Sequence, residues 1–492
     1  MEPITLDELA RATGGRLVRA ADPGARVGPD VVIDSRRATP GSVFVAIPGE
    51  RVDGHDYLDA AASGGAAAAL TAREVDADLA QVVVDDPVAA LQRLARHTVD
   101  AGHAGGLVVV GVTGSSGKTS TKDLIGQVLG RFGATVVPPG SFNNEIGAPL
   151  TACRVDGATR FLVAEMGARG IGHVRALTEV TPPDIGAVLN VGHAHVGEFG
   201  SVEGIAQAKG ELVEALDADG WAVLNAADPL VAAMASRRRA RVAWFADAGE
   251  PEGGDLRVWA SDVVADDLQR FSFTLHADGA VTGSEPVALG VLGRHNVANA
   301  LAAAAVALAA GCDLPGVAEA LTSARPQSRW RMELVTRADG LAILNDAYNA
   351  NPDSMAAALT SLAGLRRDGG RVVAAVGDML ELGDTSAQAH RAVGELAARL
   401  GVDEVLAIGA LLFSMIYYNN RGGPLGIFGW AALGVLVVGA LGTALTYRNR
   451  RIRFVRFLTR SGRAGLDIGC AGNRVEEFEA FVANVRRQIA KA

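Results

Sequence analysis

Residues 107–121 read LVVVGVTGSSGKTST, and no other stretch of this 492-residue chain restricts its fold as sharply. The run 107–112 is apolar throughout, as expected of a strand buried on both faces of a sheet. Beyond it Leu124, Ile125, Val128, Leu129 and Phe132 recur on one side of a helix. In the loop between, Gly114, Ser115 and Gly117 let backbone amides close around a phosphate, whose charge the following helix N-terminus favours. Lys118 would reach the outer phosphates, Thr119 would hold Mg²⁺ through its hydroxyl, and Ser120 completes the phosphate loop. Val112 stands where the strict eight-residue pattern has its first glycine, so the strand–loop–helix context carries the assignment.

RFLVAE (160–165) and DIGAVLNV (184–191) repeat the theme of an apolar strand ending in polar residues. Strands alternating with helices predict a parallel α/β sheet with ligands beyond the C-terminal ends of its strands. The length suits about three domains, and we place them at 1–104, 105–327 and 328–409, followed by a divergent tail at 410–492. TLDELARATGG predicts a helix with a glycine stop, 31–47 two short strands, and the Ala-rich stretch 57–70 a tightly packed helix. Three widely spaced cysteines, Cys153, Cys312 and Cys470, argue against a disulfide framework or a zinc site and fit a reducing cytosol. The start, MEPITLDELA, lacks the basic and apolar regions of a signal peptide, so a cytoplasmic body is expected.

The net charge of −9 hides an asymmetry. Residues 410–492 hold 12 of the 46 Lys/Arg and 4 of the 55 Asp/Glu, which leaves residues 1–409 with 34 against 51. An acidic body argues against nucleic acid as a partner. In the tail, 422–447 contains no charged residue, and a helix of that length would span about 39 Å against a hydrocarbon core of about 30 Å. Residues 424–447 are therefore a candidate transmembrane helix that would tether the body to a membrane. A basic run (448–463) follows, then a segment with amphipathic helical spacing (474–490). Three readings of the tail stand: a chimeric or frame-joined sequence, a true membrane tether, or a buried apolar helix of a divergent third domain.

GSSGKT after GVT resembles the loop of the Mur ligases and their folyl-polyglutamate relatives. Further matching stretches follow in the family's order: SFNNEIGAPLT (141–151), VAEMGA (163–168), NVGHAHVGEFGSVEGIAQAKGEL (190–212) and LGRHNVANALAAA (292–304). RWRMELV (329–335), NDAYNANPDSM (345–355) and VGDMLELGDTSAQAH (376–390) complete the series. The resemblance covers roughly residues 30–409. It implies a three-domain architecture with a central phosphate-loop sheet, of whose Rossmann-like third domain residues 328–409 are only part. It also implies amide formation driven by ATP and Mg²⁺, between a UDP-linked muramoyl peptide and an amine. YNANP points, within the family, to D-alanyl-D-alanine as that amine. Two other functions stay open: a membrane-anchored nucleotide-binding scaffold that has lost ligation, and a different amide ligase of the same superfamily.

The resemblance also assigns roles. Glu165 reads ordinarily as a solvated strand-end cap, and by family match as a Mg²⁺ ligand. His195, ordinarily structural, matches the family's metal-binding histidine. Lys209 reads as a solvent-facing lysine, whereas the lysine of AKGE is carbamylated in the family and helps position a second Mg²⁺ and the acyl group. His295 and Asn299 are either helix-opening residues or, by resemblance, neighbours of the nucleotide, with Asn299 at adenine. Arg331 would contact phosphate, and Asp346 the ribose or the domain junction. Ser35 and Arg36 match the uridine-nucleotide region, as does the stretch Asp53–His55. Asn143 and Asn144 would face the UDP-linked peptide, and Asn349 and Asn351 would orient the acceptor or nearby backbone.

Overall fold

The computed structural model describes residues 1–49, 52–192, 196–338, 340–408, 452–458 and 464–471. The chain gathers into two compact units, Met1–Arg329 with Glu381–Asp384, and Trp330–Leu380 with Thr385–Ala492.

In the first unit the expected opening helix is Leu6–Thr13. A reciprocal capping box between Thr5 and Glu8 starts it, and Gly14 at φ 70° stops it in the left-handed conformation that glycine adopts without penalty. A five-stranded sheet follows in the order Arg16–Val18, Ala80–Val83, Ala68–Thr71, Val43–Val45, Val31–Val32, with only the first pair antiparallel. The Ala-rich stretch 57–70 is not one helix. Its helix covers only Leu58–Ser63, and Ala68–Thr71 is a fully buried strand. Gly64 and Gly65 (φ 103°) break the helix, and a strand closed in by two neighbours accepts alanine as readily as a helix does. Leu91, Leu94 and Val99 of the helix Pro87–Ala104 share one core with Val43, Leu70 and Val82 and with Val109 and Leu162 of the second sheet. Apolar packing is therefore continuous across residue 104.

The second sheet has nine strands. Their order is Gly283–Leu292, Arg270–Gly279, Leu256–Ala265, Arg241–Ala246, Trp221–Asn225, Ile185–Val188, Val108–Thr113, Phe161–Glu165 and Thr135–Val136. It is parallel from Thr135–Val136 to Leu256–Ala265, and the other two strands extend it antiparallel. Helix Lys118–Leu129 packs Leu124, Ile125, Val128 and Leu129 into its core, each contributing about 1.5–3 kcal/mol of burial. Helix His295–Ala309, buried on nearly every side, lies against that helix and the sheet.

The second unit contains an antiparallel pair, Glu333–Thr336 with Ala342–Asn345, and a parallel pair, Val373–Gly377 with Glu404–Ile408. The helix Ser386–Arg399 lies between the parallel strands in sequence, giving a β-α-β unit of Rossmann type. Part of the basic run 448–463 is strand: Ile452–Leu458 pairs antiparallel with Ala464–Ala471. The candidate span 424–447 and the amphipathic segment 474–490 lie outside the described residues. Among the described residues no helix is long and apolar enough to cross a membrane.

Candidate active site

The phosphate loop leaves the C-terminal end of Val108–Thr113, the strand flanked by Phe161–Glu165 on one side and Ile185–Val188 on the other. The chain passes from one side of that strand to the other at this point, the crevice where open α/β sheets bind ligands. Two residues fix the loop from behind. Asn190 accepts from the Ser116 amide at 3.0 Å through Oδ1 and donates Nδ2 to the Ser116 carbonyl at 3.2 Å. Its own carbonyl accepts from the buried Ser115 at 3.1 Å. Gly117 (φ 77°) sits so close to Asn299 that an added Cβ would lie 2.9 Å from Oδ1 of that side chain. In the sequence Asn190 carries only a faint signal, a polar residue directly after the apolar run AVL. Lys118 folds over the loop, donating Nζ to the Gly114 carbonyl at 2.5 Å, while Ser120 is half-buried on the helix.

Beneath the loop three predicted residues meet. Glu165, only 1 % exposed, accepts on one oxygen from the Thr119 hydroxyl at 3.2 Å and the Asn143 amide at 2.8 Å. Its other oxygen is buried with no hydrogen-bond partner. A buried carboxylate oxygen left unsatisfied is costly unless something cationic completes it. Two hard oxygen donors beside a phosphate loop fit Mg²⁺. The solvated-cap reading of Glu165 is therefore wrong, and Asn143 has its amide committed to Glu165. Among the described residues no three His, Cys, Asp or Glu cluster as a metal site; His193 and His195 lie outside them.

Lys209 lies on the helix Val202–Glu214 and is 4 % exposed, which overturns the solvent-facing reading. Burial, and secondarily the charge of Lys118, hold its amine well below the usual lysine range. Asn299 donates to Asn296 at 2.8 Å and backs the loop at Gly117. Burial pushes His295 down to about 4, so its ring is neutral at pH 7.

The other predicted residues are placed as follows. Arg36, largely exposed, forks onto Asp34 at 2.9 and 2.8 Å, in the same short turn as half-buried Ser35. His55 accepts on Nε2 from the Ala72 amide at 2.8 Å, so its proton is on Nδ1 and donates to Asp53 at 2.6 Å. That pair is a structural stitch. Exposed Asn144 accepts from the Gly147 amide at 2.9 Å and shapes the start of the helix Gly147–Ala152.

In the second unit the Arg331 guanidinium stacks on the Tyr348 ring at 4.1 Å. Asp346 accepts from the Met332 amide at 3.0 Å, and burial raises its carboxyl to about 6. Asn349 is exposed. Asn351 caps the helix Pro352–Gly364 by accepting from the Ser354 amide at 2.8 Å, so its side chain is committed locally. Between pH 3.8 and about 6 the folded chain holds a proton on Asp346 that the unfolded chain has lost. Stability from this group therefore falls as pH rises through that window. Asp346→Asn keeps the Met332 contact and should remove this fall, as read by urea unfolding across the window. Parallel pH profiles for the two proteins would refute the assignment.

Three family models match the chain: the Mur ligase middle domain over residues 112–307, the Mur ligase glutamate ligase domain over 330–415, and the Mur ligase family catalytic domain over 30–98. The UDP-N-acetylmuramoyl-tripeptide--D-alanyl-D-alanine ligase of Mycobacterium tuberculosis (strain ATCC 25618 / H37Rv) is 46 % identical over 434 residues, 83 % of this chain and 84 % of that protein. The ligase of the same name from Escherichia coli (strain K12) is 37 % identical over 417 residues, 83 % of this chain and 86 % of that protein. Among solved structures, MurF from Acinetobacter baumannii superposes with a TM-score of 0.77 at 31 % identity, covering 90 % of this chain and 94 % of that one. MurF ligase from Thermotoga maritima in complex with ADP gives 0.65 at 30 % identity, covering 77 % and 84 %.

Proposed function

This chain belongs to the Mur ligase family, and on that premise we propose that it joins D-alanyl-D-alanine to a UDP-linked muramoyl tripeptide at the expense of ATP. The observation that carries the reading furthest is the cluster of Thr119, Asn143 and Glu165 beneath the phosphate loop, with an unsatisfied carboxylate oxygen where a cation would sit. The relatives' shared name supplies the substrates, and YNANP supports the dipeptide acceptor. Residues 1–104 would hold the uridine nucleotide, with Ser35 and Arg36 contributing. Residues 105–327 would hold ATP, and 328–409 the acceptor side. A reaction fuelled by ATP fits the cytoplasm.

In the first step an oxygen of the tripeptide's terminal carboxylate bonds to the γ-phosphorus, and the bond to the bridging oxygen breaks, releasing ADP. In the second the dipeptide amine attacks the acyl carbon, a tetrahedral intermediate collapses, and phosphate leaves while the amine's surplus proton passes to solvent. A carboxylate and a triphosphate repel each other, so the protein must neutralise charge while aligning them. Lys118 would do this from the loop, and Arg331 is the phosphate contact that the resemblance implies. Mg²⁺, held by Thr119 and Glu165 and by His195 as the resemblance implies, would supply further positive charge at the phosphates. We read Lys209 as the family's carbamylated lysine, because a buried neutral amine is the form that adds CO₂ with loss of a proton. Asn349 would orient the acceptor.

Phosphate release from ATP tests the reading. The full-length protein, given UDP-muramoyl tripeptide with and without D-alanyl-D-alanine, should release phosphate in stoichiometric turnover only with both. Turnover without the UDP-peptide would sink it, and preference for a single amino acid over the dipeptide would point to another ligase of the superfamily.

A further inference from the structure

Trp330 and Met332, at the start of the second unit, have φ of 61° and 49°. Bulky side chains rarely adopt this left-handed backbone, and it persists only where the surroundings hold it. Hydrogen bonds on both residues do so. The Tyr348 amide donates to the Trp330 carbonyl at 3.2 Å, and the Met332 amide donates to Asp346 at 3.0 Å. Arg331 lies between these clamped residues. Its Nε is buried without a hydrogen-bond acceptor, and its guanidinium lies 4.1 Å from the Tyr348 ring centroid. A guanidinium stacked on a ring keeps its edge available for an anion while its plane is fixed.

We propose that Tyr348 is the positioning residue for Arg331: its ring sets the plane of the guanidinium, and its backbone, with Asp346, holds the left-handed turn that presents it. This rests on the reading of Arg331 as a phosphate ligand. Tyr348 itself makes no contact with the reacting atoms in this account. It acts by removing the freedom Arg331 would otherwise lose in the transition state, so its contribution belongs in kcat rather than in KM for ATP.

The test is a double-mutant cycle in the full-length ligase, with thermal unfolding as a control on folding. Tyr348→Leu should lower kcat about tenfold with KM for ATP changed by no more than about twofold, and Tyr348→Phe, which keeps the ring, should restore most of the rate. On an Arg331→Ala background, Tyr348→Leu should add nothing, since there is no guanidinium left to position. Additive losses, or Tyr348→Phe as impaired as Tyr348→Leu, would overturn the proposal. A silent Tyr348→Leu beside a damaged Arg331→Ala would overturn it alone. A silent Arg331→Ala would take down the phosphate-ligand reading as well.

Discussion

Glu165→Gln should leave the fold intact and lower ATP-dependent ligation by about 100- to 1,000-fold. Glutamine keeps the oxygen that accepts from Thr119 and Asn143 at 3.2 and 2.8 Å, so the local network survives. What changes is the second oxygen, which is buried without a partner and becomes an amide nitrogen. If that oxygen only filled space, the exchange would be nearly silent. If it binds a cation, the substitution removes the negative charge and presents N–H groups to Mg²⁺. Mg²⁺-dependent nucleotide binding should weaken while UDP-peptide binding stays as it was. Calorimetric titration of a nucleotide analogue with and without Mg²⁺ reads this directly, and an unchanged Mg²⁺ dependence would refute the assignment.

Lys209→Met should move activity and stability in opposite directions. Ligation should fall by at least about 100-fold, because the family's carboxylate cannot be built on a thioether. The thermal midpoint should rise, because the fold otherwise buries an amine at 4 % exposure beside the charge of Lys118. Between the depressed value of this amine and its ordinary 10.5, the unfolded chain binds a proton that the folded chain does not. Wild-type stability from this group therefore rises with pH across that window, and the gain from methionine fades toward 10.5. In CO₂-free buffer the gap should be widest. Added bicarbonate should stabilise the wild type and leave Lys209→Met unmoved. Equal responses to bicarbonate would rule out the carbamate.

How much of this was legible in the sequence depended on whether the information was contiguous. The strand, loop and helix around Lys118 are adjacent in the chain, so their pattern survives without a structure. For Lys209 only the solvent-facing alternative fails, and its spacing carried the signal: Ile205, Lys209 and Leu212 lie on one stripe of the helix, and all three are buried. The antiparallel extension over Leu256–Leu292 was not read at all. Its middle strand alternates clearly, with Phe271, Phe273, Leu275 and Ala277 inward, yet no loop chemistry drew attention there. Asn190 and Glu165 show the other limit. Their meaning comes from a loop and a hydroxyl far away in the chain, and only folding brings them together. Asn351 was assigned to substrate, although Asn followed by Pro at a helix start is itself a capping signal, and the structure uses it that way.

The helix His295–Ala309 packs six fully buried alanines, Ala300, Ala302–Ala305 and Ala307, within a core that includes the helix of the phosphate loop. Each methyl there is fully buried, and in a close-packed interior a larger side chain forces a shift, typically for about 1–3 kcal/mol. The helix that begins at Lys118 is among the neighbours such a shift would press, and a Cβ added at Gly117 would already lie 2.9 Å from Asn299. Neutral drift is therefore narrow along the interior of a helix whose first turns carry His295 and Asn299. A lineage that enlarged one of those alanines would retain a folded protein and lose nucleotide affinity first, so selection on catalysis would police an interior surface that substrates never reach.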